Sequence, residues 1–120
     1  MPSTILIVED EFLIAMELLA MVEDGGYEVT GPVVSVAAAL AQLEQQVPSA
    51  CVLDVNLRGE NSAPVAVALK RLGVPFLLSS AYSADTLEQY PAFKGIMNIG
   101  KPAPQKRLLA ALAELVPNRD

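Results

Sequence analysis

Four short stretches of this 120-residue chain carry groups able to handle a metal ion and a phosphoryl group together. In ILIVEDE, Ile5 to Val8 run straight into Glu9, Asp10 and Glu11. In CVLDVNL, Asp54 follows an apolar run. LLSSAYS places Ser80 after another, and IGKPA supplies Lys101 followed by Pro102. Three adjacent carboxylates repel one another, and a bound cation offsets that repulsion. Hard oxygen ligands with few other donors suit Mg²⁺, which keeps several of its waters. A hydroxyl and an ammonium beside them would complete a site for a phosphoryl group.

Such a site exists only if the chain brings the four stretches to one rim. Short, apolar, β-branched runs are predicted as strands at Thr4–Val8, Tyr27–Gly31, Ala50–Leu53, Phe76–Leu78 and Ile96–Ile99. Helical segments lie between them. Glu11 to Asp24 runs without a breaker to Gly25-Gly26. Ser35 can cap Val36 to Val47. Pro64 suits the first turn of a helix that ends near Leu72 and Gly73. Pro104 opens the last helix, with Leu108, Leu112 and Leu115 on one stripe. Ser83 to Lys94 carries Pro91 and little periodicity, so its helix is expected to be short or irregular. This alternation predicts an α/β fold, flavodoxin-like (βα)5, with a five-stranded parallel sheet in the order 2-1-3-4-5 and helices on both faces. In that order the first and third strands are neighbours, so Glu9 or Asp10 and Asp54 converge at the carboxyl ends where such folds place function.

The bulk composition agrees and narrows the classes. The length suits one domain spanning 1–120. With 52% apolar residues, few aromatics and no Trp, small aliphatic side chains must fill a helix-covered sheet. The net charge of −6 and the lack of any basic run argue against nucleic acid and anionic membranes as partners. The absence of His removes His-based metal sites and Ser–His catalysis. The single Cys51 lies in an apolar run and reads as a buried, inert thiol. No signal peptide or membrane span is visible, so the expected location is cytoplasmic.

An acidic pair after strand one, Asp after strand three, Ser after strand four and Lys-Pro after strand five together resemble the receiver domain of two-component response regulators. The resemblance covers the whole chain. It implies that Asp54 is the phosphoacceptor and that Glu9 and Asp10 hold Mg²⁺ with Asp54 and the backbone carbonyl of Asn56. It further implies that Lys101 pairs with one phosphoryl oxygen and Ser80 with another. The donor would be a sensor histidine kinase or a phosphotransfer protein. The domain is expected to act as a phosphoacceptor rather than an enzyme, with no output domain. Its output would be protein binding or the draining of phosphate from the kinase, and a homodimer is left open. The alternative is a scaffold of the same fold that binds partners without phosphorylation. A dehalogenase-type phosphatase would need Asp-x-Asp where the chain has Asp54-Val55-Asn56, and the acids after strand one would repel the phosphate of FMN.

Other residues keep a plain reading beside a functional one. Glu11 can simply favour a helix N-terminus, Ser79 can be structural, Arg58 and Glu60 can lie in a solvated loop, and Tyr82 is either a shield for the phosphoryl group or a surface aromatic. Most receivers carry Tyr or Phe three residues before the strand-five Lys; here that position is Asn98. The strand-four segment partly resembles the Phe-Ala-Thr-Gly signature of one group of single-domain receivers. In the first helix, at about 100° per residue, Ile14, Leu18, Met21 and Val22 are expected to face the sheet. Phe12, Met16, Leu19 and Glu23 would point away. Either loops cover these apolar residues or they form a stripe for partner docking, which the resemblance places where a kinase's phosphohistidine helices pack.

Overall fold

The computed structural model describes residues 2–117. In chain order its elements are β1 (Thr4–Val8), α1 (Phe12–Asp24), β2 (Glu28–Val33), α2 (Val36–Gln45), β3 (Ala50–Leu53), β4 (Asn56–Leu57), β5 (Glu60–Asn61), α3 (Ala63–Arg71), β6 (Phe76–Leu78), α4 (Ala84–Glu88) and α5 (Gln105–Leu115). The main sheet is parallel in the order β2-β1-β3-β6. This is the flavodoxin-like arrangement expected from the alternation of elements.

Strand residues alternate between two cores because successive side chains point to opposite faces. Leu6, Val8, Cys51, Leu53 and Leu78 join α2 and α3 on one face. Ile5, Ile7, Val52 and Leu77 join α1 and α5 on the other. Burial on both faces explains why these strands read as continuous apolar runs rather than alternating ones.

Local signals account for most boundaries. The Ser35 hydroxyl caps α2 by accepting from Ala38 N–H at 3.1 Å. Ser83 does the same for the short α4, accepting from Thr86 N–H at 3.2 Å. After α4 the chain turns irregularly through Pro91, but Phe93 is buried and packs edge-on against Tyr90.

Three features depart from the expectation. The second strand runs to Val33 rather than stopping at Gly31, through a register shift that Gly31 accommodates at φ 90°. There a Cβ would stand 2.9 Å from the Ile7 carbonyl oxygen, so only glycine fits. The fifth strand, expected at Ile96–Ile99, is reduced to a single parallel bridge between Leu78 and Asn98. Gly95 and Gly100, both at positive φ, bracket it and turn the backbone out of the ladder. Finally, the segment read as a solvated loop forms the hairpin β4–β5. Arg58 and Gly59 at its tip both have positive φ, the hand that two-residue hairpin loops prefer.

Candidate functional site

The sheet register brings the chemistry together. Val8 pairs with Leu53 and Leu53 with Leu78, so β1, β3 and β6 end level with one another. Glu9, Asp54 and Ser79-Ser80 therefore leave the sheet side by side. Asp54 N–H donates to the Val8 carbonyl and Ser79 N–H to that of Leu53, each at 3.0 Å, which continues the pairing into the site. The Leu78–Asn98 bridge carries the chain on to Lys101.

Glu9, Asp10 and Asp54 each offer an oxygen within 4.8 Å of the others. Glu9 is fully buried. Its Oε2 accepts from Glu11 N–H at 2.9 Å and from Lys101 Nζ at 3.2 Å. Its Oε1 is buried with no hydrogen-bond partner. Burial pushes the Glu9 carboxyl up to about 7; the Glu11 N–H opposes this, the Asp54 charge adds to it, and Lys101 opposes it. A buried carboxylate with one bare oxygen, beside two further carboxylates, is a hard-oxygen set that fits Mg²⁺. Asp10 is held at the rim, where its Oδ2 accepts from Arg58 N–H at 2.9 Å. The hairpin thus has a role that reading its sequence as a loop missed. Gly59 was the available signal.

Asp54 is buried at the floor. Its Oδ2 receives Lys101 Nζ at 2.9 Å, while Oδ1 has only a long 3.5 Å contact from Asn56 N–H. The buried Ser62 hydroxyl donates to the Asp54 carbonyl at 2.6 Å and anchors its backbone; no sequence motif announced this. Lys101 also lies 3.5 Å from Glu11, so Glu11 joins the cluster besides preceding α1. Burial would lower the Lys101 pKa, but hydrogen bonds and charge from Asp54 and Glu9 hold it above the ordinary lysine value. Three carboxylates, those of Glu9, Glu11 and Asp54, thus face one ammonium.

Above these groups is a hollow of about 270 Å³ lined by Asp10, Glu11, Asp54, Asn56, Ser80, Ala81, Tyr82 and Lys101. It admits a small anion and a hydrated cation but no large cofactor. A larger depression, about 740 Å³, lies between α2 and α3 among Leu40, Leu43, Val67 and Leu72. Its lining is apolar apart from Glu44 and Arg71, so chemistry rather than size locates the site. Cys51 lies in the core, where burial pushes its thiol up and leaves it inert.

The chain matches the response regulator receiver domain over residues 5–113. It belongs to the receiver domain family. Among curated relatives, the transcriptional regulatory protein PdtaR of Mycobacterium tuberculosis is 31% identical over 98 residues, 80% of this chain and 47% of that protein. The receiver thus spans about half the length of the curated relatives it matches. Among solved structures, SdrG from Sphingomonas melonis Fr1 is 41% identical with a TM-score of 0.81, covering 95% of this chain and 96% of that one. The BeF3-activated conformation of SdrG is similar with a TM-score of 0.79 at 39% identity, covering 94% and 95%. The receiver domain of PhyR from Erythrobacter litoralis has a TM-score of 0.85 at 21% identity, covering 99% and 93%, and supports the fold alone.

The outer face of α1 in this receiver differs from the expected one. Leu19 is half-buried and packs on the core beneath, and Met16 is half-buried too. The helix packs on β1, β2 and α5, so its buried line runs through Ala15, Leu18 and Val22. The outward line is Leu13, Glu17, Ala20 and Asp24. Of the three residues expected to dock a partner, only Phe12 is well exposed, at 71%, next to Leu13 at 75%. Among the described residues no helix is long and apolar enough to cross a membrane.

Proposed function

We propose that this receiver is a phosphoacceptor, taking a phosphoryl group on Asp54 from a histidine kinase or phosphotransfer protein. The observation that carries this reading is the buried Asp54 with one oxygen held by Lys101 and the other nearly bare above an open hollow. Asp54 Oδ1 forms the bond to phosphorus as the P–N bond of the donor phosphohistidine breaks. The electron pair goes to the imidazole nitrogen, which takes a proton from water. Lys101 then turns from the Asp54 carboxylate to a phosphoryl oxygen, and the Ser80 hydroxyl donates to another. Glu9, Asp10, Asp54 and the Asn56 carbonyl are the residues that would hold Mg²⁺. When bound, the ion neutralises charge on the transferring group, which is most of what such a transfer requires beyond positioning.

The protein serves as acceptor and slow self-phosphatase rather than as an enzyme acting on a separate substrate. Its output is a change in protein binding or the removal of phosphate from the kinase. The similarity to SdrG, which has a BeF3-activated conformation, supports activation through the same site. Phe12 and Leu13, beside Glu9 and Asp10 at the start of α1, are the exposed apolar residues suited to meet the donor protein. Nuclear magnetic resonance of the protein with Mg²⁺ and beryllofluoride tests the reading. Amide shifts are expected at Asp54, Ser80 and Lys101 and are expected to vanish in Asp54→Ala; an unchanged spectrum of the wild type contradicts it.

A further inference from the structure

Asn98 makes four hydrogen bonds with one carboxamide. Its Oδ1 accepts from Ser80 N–H at 3.0 Å and from Gly100 N–H at 3.1 Å. Its Nδ2 donates to the Ser80 carbonyl at 3.1 Å and to that of Tyr82 at 3.4 Å. The reverse orientation would set oxygen against two carbonyls and NH₂ against two amides, so the four partners fix which end is which.

These bonds stand where the sheet runs out. The last backbone ties between the two segments are Leu78 N–H to the Met97 carbonyl at 2.8 Å and Ile99 N–H to that of Leu78 at 2.9 Å. Two residues beyond Leu78, the carboxamide, shaped like a peptide group, pairs with both backbone groups of Ser80 and extends the ladder. Ser79 adds a second tie, its hydroxyl donating to the Gly100 carbonyl at 3.1 Å. Ser80 is buried with its N–H and C=O both held by Asn98, so its remaining freedom is rotation of the hydroxyl. That hydroxyl accepts from Tyr82 N–H at 3.0 Å, and its own hydrogen has no acceptor among the described residues. On the other side, the Gly100 N–H held by Oδ1 immediately precedes Lys101.

We propose that Asn98 is the positioning residue of the phosphoryl site, setting the Ser80 hydroxyl and Lys101 at a fixed spacing on either side of Asp54. The proposal rests on the phosphoacceptor reading. It gives the position a purpose that an aromatic ring there could not serve, because a ring makes none of these bonds.

Two measurements test it separately. In the wild type without phosphate, a through-bond magnetic resonance correlation between Ser80 N and Asn98 Cγ is expected; its absence, with the Asn98 NH₂ exchanging freely, overturns the proposal. Asn98→Leu keeps the size and removes all four bonds. Uptake of phosphate from acetyl phosphate is expected to slow by about ten- to a hundredfold, the scale of a small misplacement of a reacting group. In a Ser80→Ala background the same substitution is expected to slow uptake less, because of the two groups it positions only Lys101 remains. Equal slowing in both backgrounds, or no slowing in either, overturns the proposal. If Asn98→Leu does not fold, Asn98→Asp keeps the two accepted bonds and carries the same cycle. Wild-type protein inert to acetyl phosphate overturns the phosphoacceptor reading instead, a failure the magnetic resonance result does not share.

Discussion

Replacing Lys101 by Met removes the ammonium that faces Glu9, Glu11 and Asp54 while keeping an apolar stem of similar length. In the wild type Lys101 Nζ lies 2.9 Å from Asp54 and 3.2 Å from Glu9, with only 14% of its side chain exposed. Taking one partner from a buried pair costs about 3–5 kcal/mol, because the other charge stays buried and uncompensated. The cost depends on pH through Glu9. Its folded pKa of about 7 lies above the ordinary 4.5, so the fold favours the protonated form. That contribution is full below the unfolded value and is lost as pH rises through the folded one. Without Lys101, which holds it down, the Glu9 pKa rises further. Near pH 5 Glu9 carries its proton and loses little with Lys101; near pH 8 Glu9 is ionised, or must take up a proton from solvent, with no ammonium beside it. In urea melts with metal chelated, the deficit is expected to be about 3 kcal/mol near pH 8, or about 10 °C in Tm, and clearly smaller near pH 5. A deficit of the same size at both pH values, or none, refutes the view that Lys101 balances Glu9 as well as Asp54.

Millimolar Mg²⁺ is expected to raise the Tm of the wild type by selective binding to the folded state, with most of that gain lost in Asp10→Ala; a wild-type Tm indifferent to Mg²⁺ argues against the metal site. Phe12→Glu is expected to slow phosphotransfer from a histidine kinase while leaving labelling by acetyl phosphate nearly unchanged. Loss with both donors marks damage to the fold, and loss with neither removes the docking role.

The central strands and the site residues were legible because both rest on short-range signals. Apolar runs buried on both faces can be little other than inner parallel strands, and the candidate residues Glu9, Asp54 and Ser80 stand within two residues of their ends. What escaped was set by tertiary contacts. Nothing local shows that Asn98 bonds back to Ser80, because the partner lies across the sheet edge, past the single bridge to which Gly95 and Gly100 confine the fifth strand. Arg58-Gly59 lacks the usual asparagine or aspartate of a two-residue hairpin, so β4–β5 was invisible although Gly59 stood at its tip. Leu19 was misplaced because the arc assigned to the sheet ignored the width of cover that β2 and α5 add to α1.

The most direct test is intact mass after incubation with acetyl phosphate and Mg²⁺. The account predicts a gain of one phosphoryl group, lost on mild alkaline hydrolysis as an acyl phosphate should be, and absent from Asp54→Asn. Labelling of Asp54→Asn to the wild-type extent, or a wild-type mass that does not change, contradicts it.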